Sequence, residues 1–128
     1  MVKVYIATKM KYAESLRKRF LEHPEINFTC RWPYVEPFVP PEPQHAANFW
    51  EHDLMDVAAC DVLVCYGDEE DVLRGALVEV GFALGYGKEV IVVGDSPSFG
   101  TWQHLPRVKR IGTMDGVMNK GRMTWSTW

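Results

Sequence analysis

The sequence is poor in cysteine, has almost no bases in its middle third and contains no long apolar run. Its three cysteines, Cys30, Cys60 and Cys65, form no CxxC pair. Their odd number, and the apolar run Val62-Leu63-Val64 between the last two, fit small buried thiols in a reducing compartment and exclude a disulfide scaffold. No stretch approaches the roughly 20 apolar residues of a membrane span, so no membrane partner is expected. Met1-Val2-Lys3-Val4-Tyr5 runs straight into a strand pattern without a leader-like segment, and a cytoplasmic location is the expectation. The histidines at 23, 45, 52 and 104 fit neither an HExxH pair nor a zinc ligand set, so no metal is expected. There is no GxSxG elbow. Gly81, Gly85 and Gly87 do not stand between a strand and a helix, which removes the dinucleotide fingerprint and the Walker loop. No cofactor is expected.

The scarcity of bases is local. Residues 36–79 hold eleven acids against the single base Arg74, whereas residues 1–35 and 105–128 each sum to +4. A nucleic-acid binder would carry one broad basic face, so no nucleic-acid partner is expected. An acidic centre between basic ends suits a carboxylate-bearing site for a small molecule, although a solvated surface is the ordinary place for most of these acids. What remains is an ordinary globular composition: 128 residues, 47% hydrophobic and 24% charged, enough for one domain over residues 1–128 with its own core.

Residues 2–7 alternate and are rich in β-formers, which predicts a strand. Residues 11–22 place Tyr12, Leu16, Phe20 and Leu21 near helical spacing, and His23-Pro24 ends that helix. Residues 26–32 are a second strand. Residues 33–43 hold five prolines, a stiffened loop expected over a site. Residues 44–60 read as a helix with Ala47, Trp50, Leu54, Val57 and Ala58 on its apolar side. Residues 61–66 and 89–94 are short apolar runs, as expected of strands buried on both faces. Between them lie the acidic loop Asp68-Glu69-Glu70-Asp71, expected mainly to cap the next helix, and a helix over 72–87. Residues 107–111 form an edge strand, and the tail 123–128, with Trp125 and Trp128, shows no element. This alternation predicts a doubly wound, flavodoxin-like α/β domain, a mostly parallel five-stranded sheet with helices on both faces. Ligands of such sheets bind beyond the carboxyl ends of the strands, which directs attention to Thr8, Lys9 and the loops after residues 66 and 94.

Glu79 is the most informative residue. It stands in Arg74-Gly75-Ala76-Leu77-Val78-Glu79-Val80-Gly81-Phe82-Ala83-Leu84, a carboxylate among apolar and small side chains, where a charge is costly without a partner or a task. Gly75 and Ala83, its neighbours one turn away, leave its helix face nearly bare, so a ligand can approach the backbone at Gly75. A tilt that carries Glu79 to solvent, or an ion pair from elsewhere, would also satisfy it. Asp53 and Asp56 lie on the preceding helix. A solvated face is the default for each, but Asp53, at the border of the apolar side, can face a cleft.

Phe49-Trp50-Glu51-His52-Asp53-Leu54, Cys60-Asp61-Val62-Leu63-Val64, Asp68-Glu69-Glu70-Asp71-Val72 and Val78-Glu79-Val80-Gly81-Phe82-Ala83-Leu84-Gly85-Tyr86-Gly87-Lys88 together resemble the nucleoside 2-deoxyribosyltransferase family, which includes the 2'-deoxynucleoside 5'-phosphate N-hydrolases. The strand Val4-Tyr5-Ile6-Ala7 is similar to the family's first strand. The resemblance implies Glu79 as nucleophile, Asp53 beside the sugar and the leaving group, Tyr5 positioning the nucleophile, and Asp71 near the base. Two features depart from the family: seven residues separate Asp71 from Glu79, and Thr8-Lys9-Met10-Lys11 replaces a glycine-rich first loop. The resemblance further implies a nucleoside or nucleotide substrate, a glutamyl glycosyl-enzyme, and a homo-oligomer to which the tryptophan-bearing tail would contribute. Trp50, Tyr66 and Phe38 are candidates for stacking on the base, and Lys9, Lys11 and Arg74 for holding a 5'-phosphate. Two other readings stand beside this one: a non-catalytic nucleotide or nucleotide-sugar binding module on the same fold, and an interaction protein working through its tail.

Overall fold

The computed structural model of the chain describes residues 2–23, 26–28 and 43–123. Five strands, β1 (Val2–Ala7), β2 (Ile26–Phe28), β3 (Val62–Tyr66), β4 (Glu89–Val93) and β5 (Val108–Ile111), form one sheet in the order β2-β1-β3-β4-β5. Every neighbouring pair is parallel, so the sheet is wholly rather than mostly parallel. Parallel pairing needs a crossover between strands. Helix α1 (Ala13–Leu21), helix α2 (Pro43–Ala59) and helix α3 (Gly75–Gly85) supply the first three, and a short 3-10 turn at Thr101–His104 lies in the fourth; helix α4 (Met114–Met123) follows β5.

The two-residue period of a strand sorts the core into two layers. Tyr5, Ala7, Leu63, Cys65, Val90 and Val92 pack with Val57 of α2 and with Ala76, Val80 and Ala83 of α3. Val4, Ile6, Val62, Val64, Ile91 and Val93 pack on the other face with Leu16 and Phe20 of α1 and with Met114, Val117 and Met118 of α4. Both faces are therefore covered, which is why β3 and β4 are apolar along their lengths instead of alternating. Cys60 and Cys65 are free and buried, and burial pushes their thiols up to about 11 and about 12. The strand order reverses direction at β1 and β3, and a crevice opens at their carboxyl ends.

Several boundaries differ from the sequence expectation. The helix expected over 72–87 begins only at Gly75, because residues 71–74 form an irregular segment in which Asp71 and Leu73 are buried. The first helix begins at Ala13 behind a 3-10 turn at Met10–Tyr12. Helix α4 is an addition. Trp50 is not a core residue: it remains 37% exposed. Asp56, whose default place was a solvated face, is buried. Cys30, residues 29–32 of the second strand, residues 33–42 of the proline loop with Phe38, and Trp125 and Trp128 lie outside the described residues. Among the described residues, no helix is long and apolar enough to cross a membrane.

The exits of β3 and β4 touch. Gly94 has a φ of +95°, and a Cβ there would lie 2.0 Å from the Gly67 carbonyl oxygen. The Gly67 N–H donates to the Val93 carbonyl at 3.1 Å, and the Ser96 N–H donates to the Gly67 carbonyl at 3.2 Å. Gly94→Ala is therefore expected to cost at least about 2 kcal/mol, from left-handed backbone strain plus a backbone clash. Gly81→Ala, mid-helix with open space around it, is expected to gain up to about 1 kcal/mol. Urea denaturation midpoints measure both, and a neutral Gly94→Ala would refute the tight approach.

Candidate active site

A cleft of about 600 Å³ opens at the carboxyl end of β1, between α2 and α3. β1 contributes Tyr5, and the loop after it contributes Thr8 and Lys9. Helix α2 contributes Trp50 and Asp53, and α3 contributes Gly75 and Glu79. The catalytic set implied by the resemblance (Glu79, Asp53, Tyr5) thus shares one cavity with three of the four binding candidates, Gly75, Thr8 and Lys9. Asp71 does not line it.

Glu79 is 8% exposed. It belongs to a helix that is apolar nearly all round, so one face packs on the sheet and carries the carboxyl down with it. Tyr5 reaches it from the sheet: its hydroxyl donates to Glu79 Oε2 in a short hydrogen bond. Burial pushes the Glu79 carboxyl up to about 8; the Tyr5 hydrogen bond pulls the other way, and the nearby Asp53 charge adds to the rise. At neutral pH burial therefore favours the protonated Glu79 carboxyl, and positive charge beside it favours the ionised form.

Gly75 controls how close α3 comes to the opposite wall. A Cβ there would lie 3.4 Å from Cη2 of Trp50, so a longer side chain would fill the slot between the indole and the helix. Trp50 thus presents an aromatic wall to the cavity. Thr8 is committed to the backbone, its hydroxyl donating to the Tyr66 carbonyl at 2.9 Å. Lys9 is half-buried and Arg74 exposed, both on the lining, and among the described residues neither cationic group is paired.

Asp71 and its surroundings lie elsewhere. Its carboxylate accepts from the Tyr12 hydroxyl at 2.6 Å and stands 3.1 Å from Lys11 Nζ, so Lys11 is engaged away from the cleft. Tyr66 is turned away as well: its ring meets Tyr12 edge-on at 5.0 Å and its hydroxyl donates to Asp68 at 2.9 Å. Met10, in the loop after β1 to which the fold directs attention, lines the cleft too, while sequence reasoning missed the apolar lining residues Phe49 and Val72. Phe49 and Val72 flank motif residues, but apolar character alone does not separate a cleft wall from a core. Among the described residues, no group of three or more His, Cys, Asp or Glu side chains could hold a metal ion.

No protein-family profile matches the sequence, and no curated protein matches it significantly. Solved structures do. A CMP N-glycosidase of Clostridium botulinum, BcmB, superposes with a TM-score of 0.61 at 18% identity, over 95% of this chain and 99% of that one. A 2-deoxyribosyltransferase of Bacillus psychrosaccharolyticus superposes with a TM-score of 0.72 at 14% identity, over 98% and 94%. A conserved protein of Enterococcus faecalis V583 gives 0.62 at 15% identity, over 95% and 98%. The chain has the nucleoside 2-deoxyribosyltransferase-like fold, a flavodoxin-like α/β arrangement.

The raised Glu79 carboxyl makes a stability prediction whose sign is fixed. Below about pH 4.5 the group is protonated whether folded or unfolded; above about pH 8 it is charged in both states, and folding must then bury the charge. The native state therefore loses stability as pH rises from about 4.5 to about 8. Glu79→Gln removes that loss, so its stability relative to the parent is expected to increase between pH 5 and pH 9, by on the order of a few kcal/mol. Denaturation curves at the two pH values measure it, and an unchanged difference would mean that Glu79 is not buried as described.

Proposed function

We propose that this chain cleaves or transfers the N-glycosidic bond of 2'-deoxynucleosides or their 5'-monophosphates through a glycosyl-enzyme on Glu79. The observation that carries the reading is the buried Glu79 carboxyl, hydrogen-bonded by Tyr5 in a cleft that also holds Asp53. The shared fold with a CMP N-glycosidase and a 2-deoxyribosyltransferase supports it.

The ionised Glu79 oxygen bonds to C1' of the sugar while the C1'–N bond breaks and its electron pair leaves with the base. The transition state has oxocarbenium character, as in retaining glycosidases. Developing positive charge on the sugar favours the ionised carboxyl, offsetting the burial that favours its protonated form. Asp53 takes up the proton that Glu79 gives up and delivers it to the departing base, and Trp50 offers a face on which the base stacks. Water then attacks C1', its proton passes to solvent, and Glu79 leaves as carboxylate; a second base in place of water gives exchange. Tyr5 keeps the attacking oxygen in one orientation throughout.

The 5'-monophosphate part rests on Lys9 and Arg74. Arg74 stands five residues before Glu79, roughly 7 Å along the helix axis, and a phosphate there would meet two cations without crowding the Glu79 carboxylate. A non-catalytic nucleotide or nucleotide-sugar binding module is the second reading, favoured by the burial that raises the Glu79 carboxyl, since a neutral carboxyl is a poor nucleophile.

A panel of 2'-deoxynucleosides and their 5'-monophosphates, with and without an acceptor base, tests the proposal by chromatography of free and exchanged base. Base release is expected from the parent and is expected to fall by on the order of 10³ or more in Glu79→Gln. Mass spectrometry of quenched parent enzyme is expected to find a deoxyribosyl adduct on the α3 peptide. Ligand binding with no release across the panel would establish the binding module instead. Lys9→Ala and Arg74→Ala are each expected to raise KM for monophosphates about tenfold and to leave nucleosides within about twofold. Equal effects on both substrate types would remove the phosphate from the proposal.

A further inference from the structure

Three loops meet at the carboxyl edge of the sheet: residues 8–12 after β1, 67–74 after β3 and 94–100 after β4. Asp71 bonds to all three. Its Oδ2 accepts from the Tyr12 hydroxyl of the first loop at 2.6 Å and from the Asp68 amide of its own loop at 2.9 Å. Its Oδ1 lies 3.1 Å from Lys11 Nζ, again in the first loop. Its backbone carbonyl accepts from the Ser96 hydroxyl of the third loop at 2.6 Å. Two further bonds run in parallel: Thr8 Oγ1 donates to the Tyr66 carbonyl at 2.9 Å, and the Leu73 amide donates to Ser98 Oγ at 2.8 Å.

The residues held by these bonds are cleft residues. Lys9 and Met10 belong to the first loop and Val72 and Arg74 to the second, and all four line the cavity. Asp71 does not, and it is 1% exposed. A carboxyl that protonates a leaving base needs a proton to give near neutral pH. Asp71 is shifted the opposite way: the Tyr12 hydrogen bond holds it down to about 2, and both of its oxygens already have partners. The Tyr12 hydroxyl is in turn pushed well above its ordinary value, chiefly by the same bond. Neither group changes protonation across the physiological range, so the link is permanent and is no pH switch.

We propose that Asp71 is a positioning residue that ties the loop after β1 to the loop before α3 and so fixes the width of the substrate cleft, without meeting the base. The kinetic consequence rests on reading the cleft as an N-glycosidic site; the tie itself does not.

Tyr12→Phe removes one hydroxyl from the tie, and Asp71→Asn removes the charge. Each is expected to raise KM about tenfold for the substrate found in the panel and to change kcat by less than about threefold. The double variant is expected to be no worse than Asp71→Asn alone, since both act through one link. Amide hydrogen exchange supplies a readout independent of turnover: either single variant is expected to speed exchange in residues 8–12 and in residues 67–74 together. A loss of kcat by 100-fold or more in Asp71→Asn with Tyr12→Phe silent would overturn the proposal and place Asp71 against the substrate. Additive effects, or faster exchange confined to residues 67–74, would overturn it as well. If Asp71→Asn does not fold, Tyr12→Phe alone decides through the same two measurements. If the parent turns over nothing in the panel, the N-glycosidic reading fails while the exchange experiment still decides the tie.

Discussion

The hydrogen bond from Tyr5 to Glu79 joins strand β1, an interior strand of the sheet, to the helix packed above it, and the geometry of the cleft follows from what that bond requires. A carboxyl on an otherwise apolar helix cannot be buried against plain hydrocarbon, because the lost hydration would go unanswered. A tyrosine on the α2/α3 face of β1 answers it with a phenolic O–H while the ring itself remains core. Tyr5 is at once a member of the larger hydrophobic cluster and the partner of the one acid in α3. The sheet can thus hold a carboxyl in a low-dielectric site without an ion pair. A cationic partner would have held Glu79 ionised but would also have occupied the oxygen that a sugar carbon has to reach.

The charges around this site are sorted by the loops that carry them. Glu79 and Asp53 come from helices flanking the cavity, whereas Lys9 and Arg74 come from its rim. Lys11 and Asp71 remove each other from the cavity by pairing outside it. Among the described residues, the acids in the middle of the sequence therefore do not all gather in the cleft. Asp68, Glu69 and Glu70 are exposed, Asp71 is turned to its bonds outside the cavity, and Asp53 and Glu79 line the cleft. A cavity with acids deep and cations at the rim suits a ligand whose reacting carbon gains positive charge and whose far end is an anion.

Much of the fold is legible in the sequence because parallel strands advertise themselves. Residues 62–66 and 89–93 are apolar on both faces, which only a sheet covered by helices explains. Glu79 is legible for a related reason, since a charge inside an apolar helix is an inconsistency that local rules do not produce. Trp50 reads as a cleft residue only through the resemblance, which makes it a stacking candidate, because helical periodicity marks a side chain as turned inward without saying whether the space it faces is filled. Helix α4 was hidden by Gly116 and Gly121, which lower its intrinsic propensity; it is held by Met114, Val117 and Met118 against the sheet. The place of Asp71 was not legible at all. Its acidic run reads as a cap for the next helix, but α3 begins four residues later with no side-chain cap at Arg74, and the partner that defines Asp71 lies 59 positions away.

That long-range bond bears on how the first loop is held. A glycine-rich first loop can wrap close to a ligand by virtue of its backbone. Thr8-Lys9-Met10-Lys11 has side chains throughout and needs another way to be held at a fixed distance from the opposite loop. Thr8, Lys11 and Tyr12 all bond across to residues 66–71, and Asp71 accepts two of the three. The longer interval between Asp71 and Glu79 is then what geometry demands: the acid sits back in the loop, where it reaches Tyr12, and residues 72–74 run forward from it to line the cavity. A first loop built from side chains and an aspartate withdrawn from the cleft are in this sense one arrangement, seen from both sides of the same hydrogen bonds.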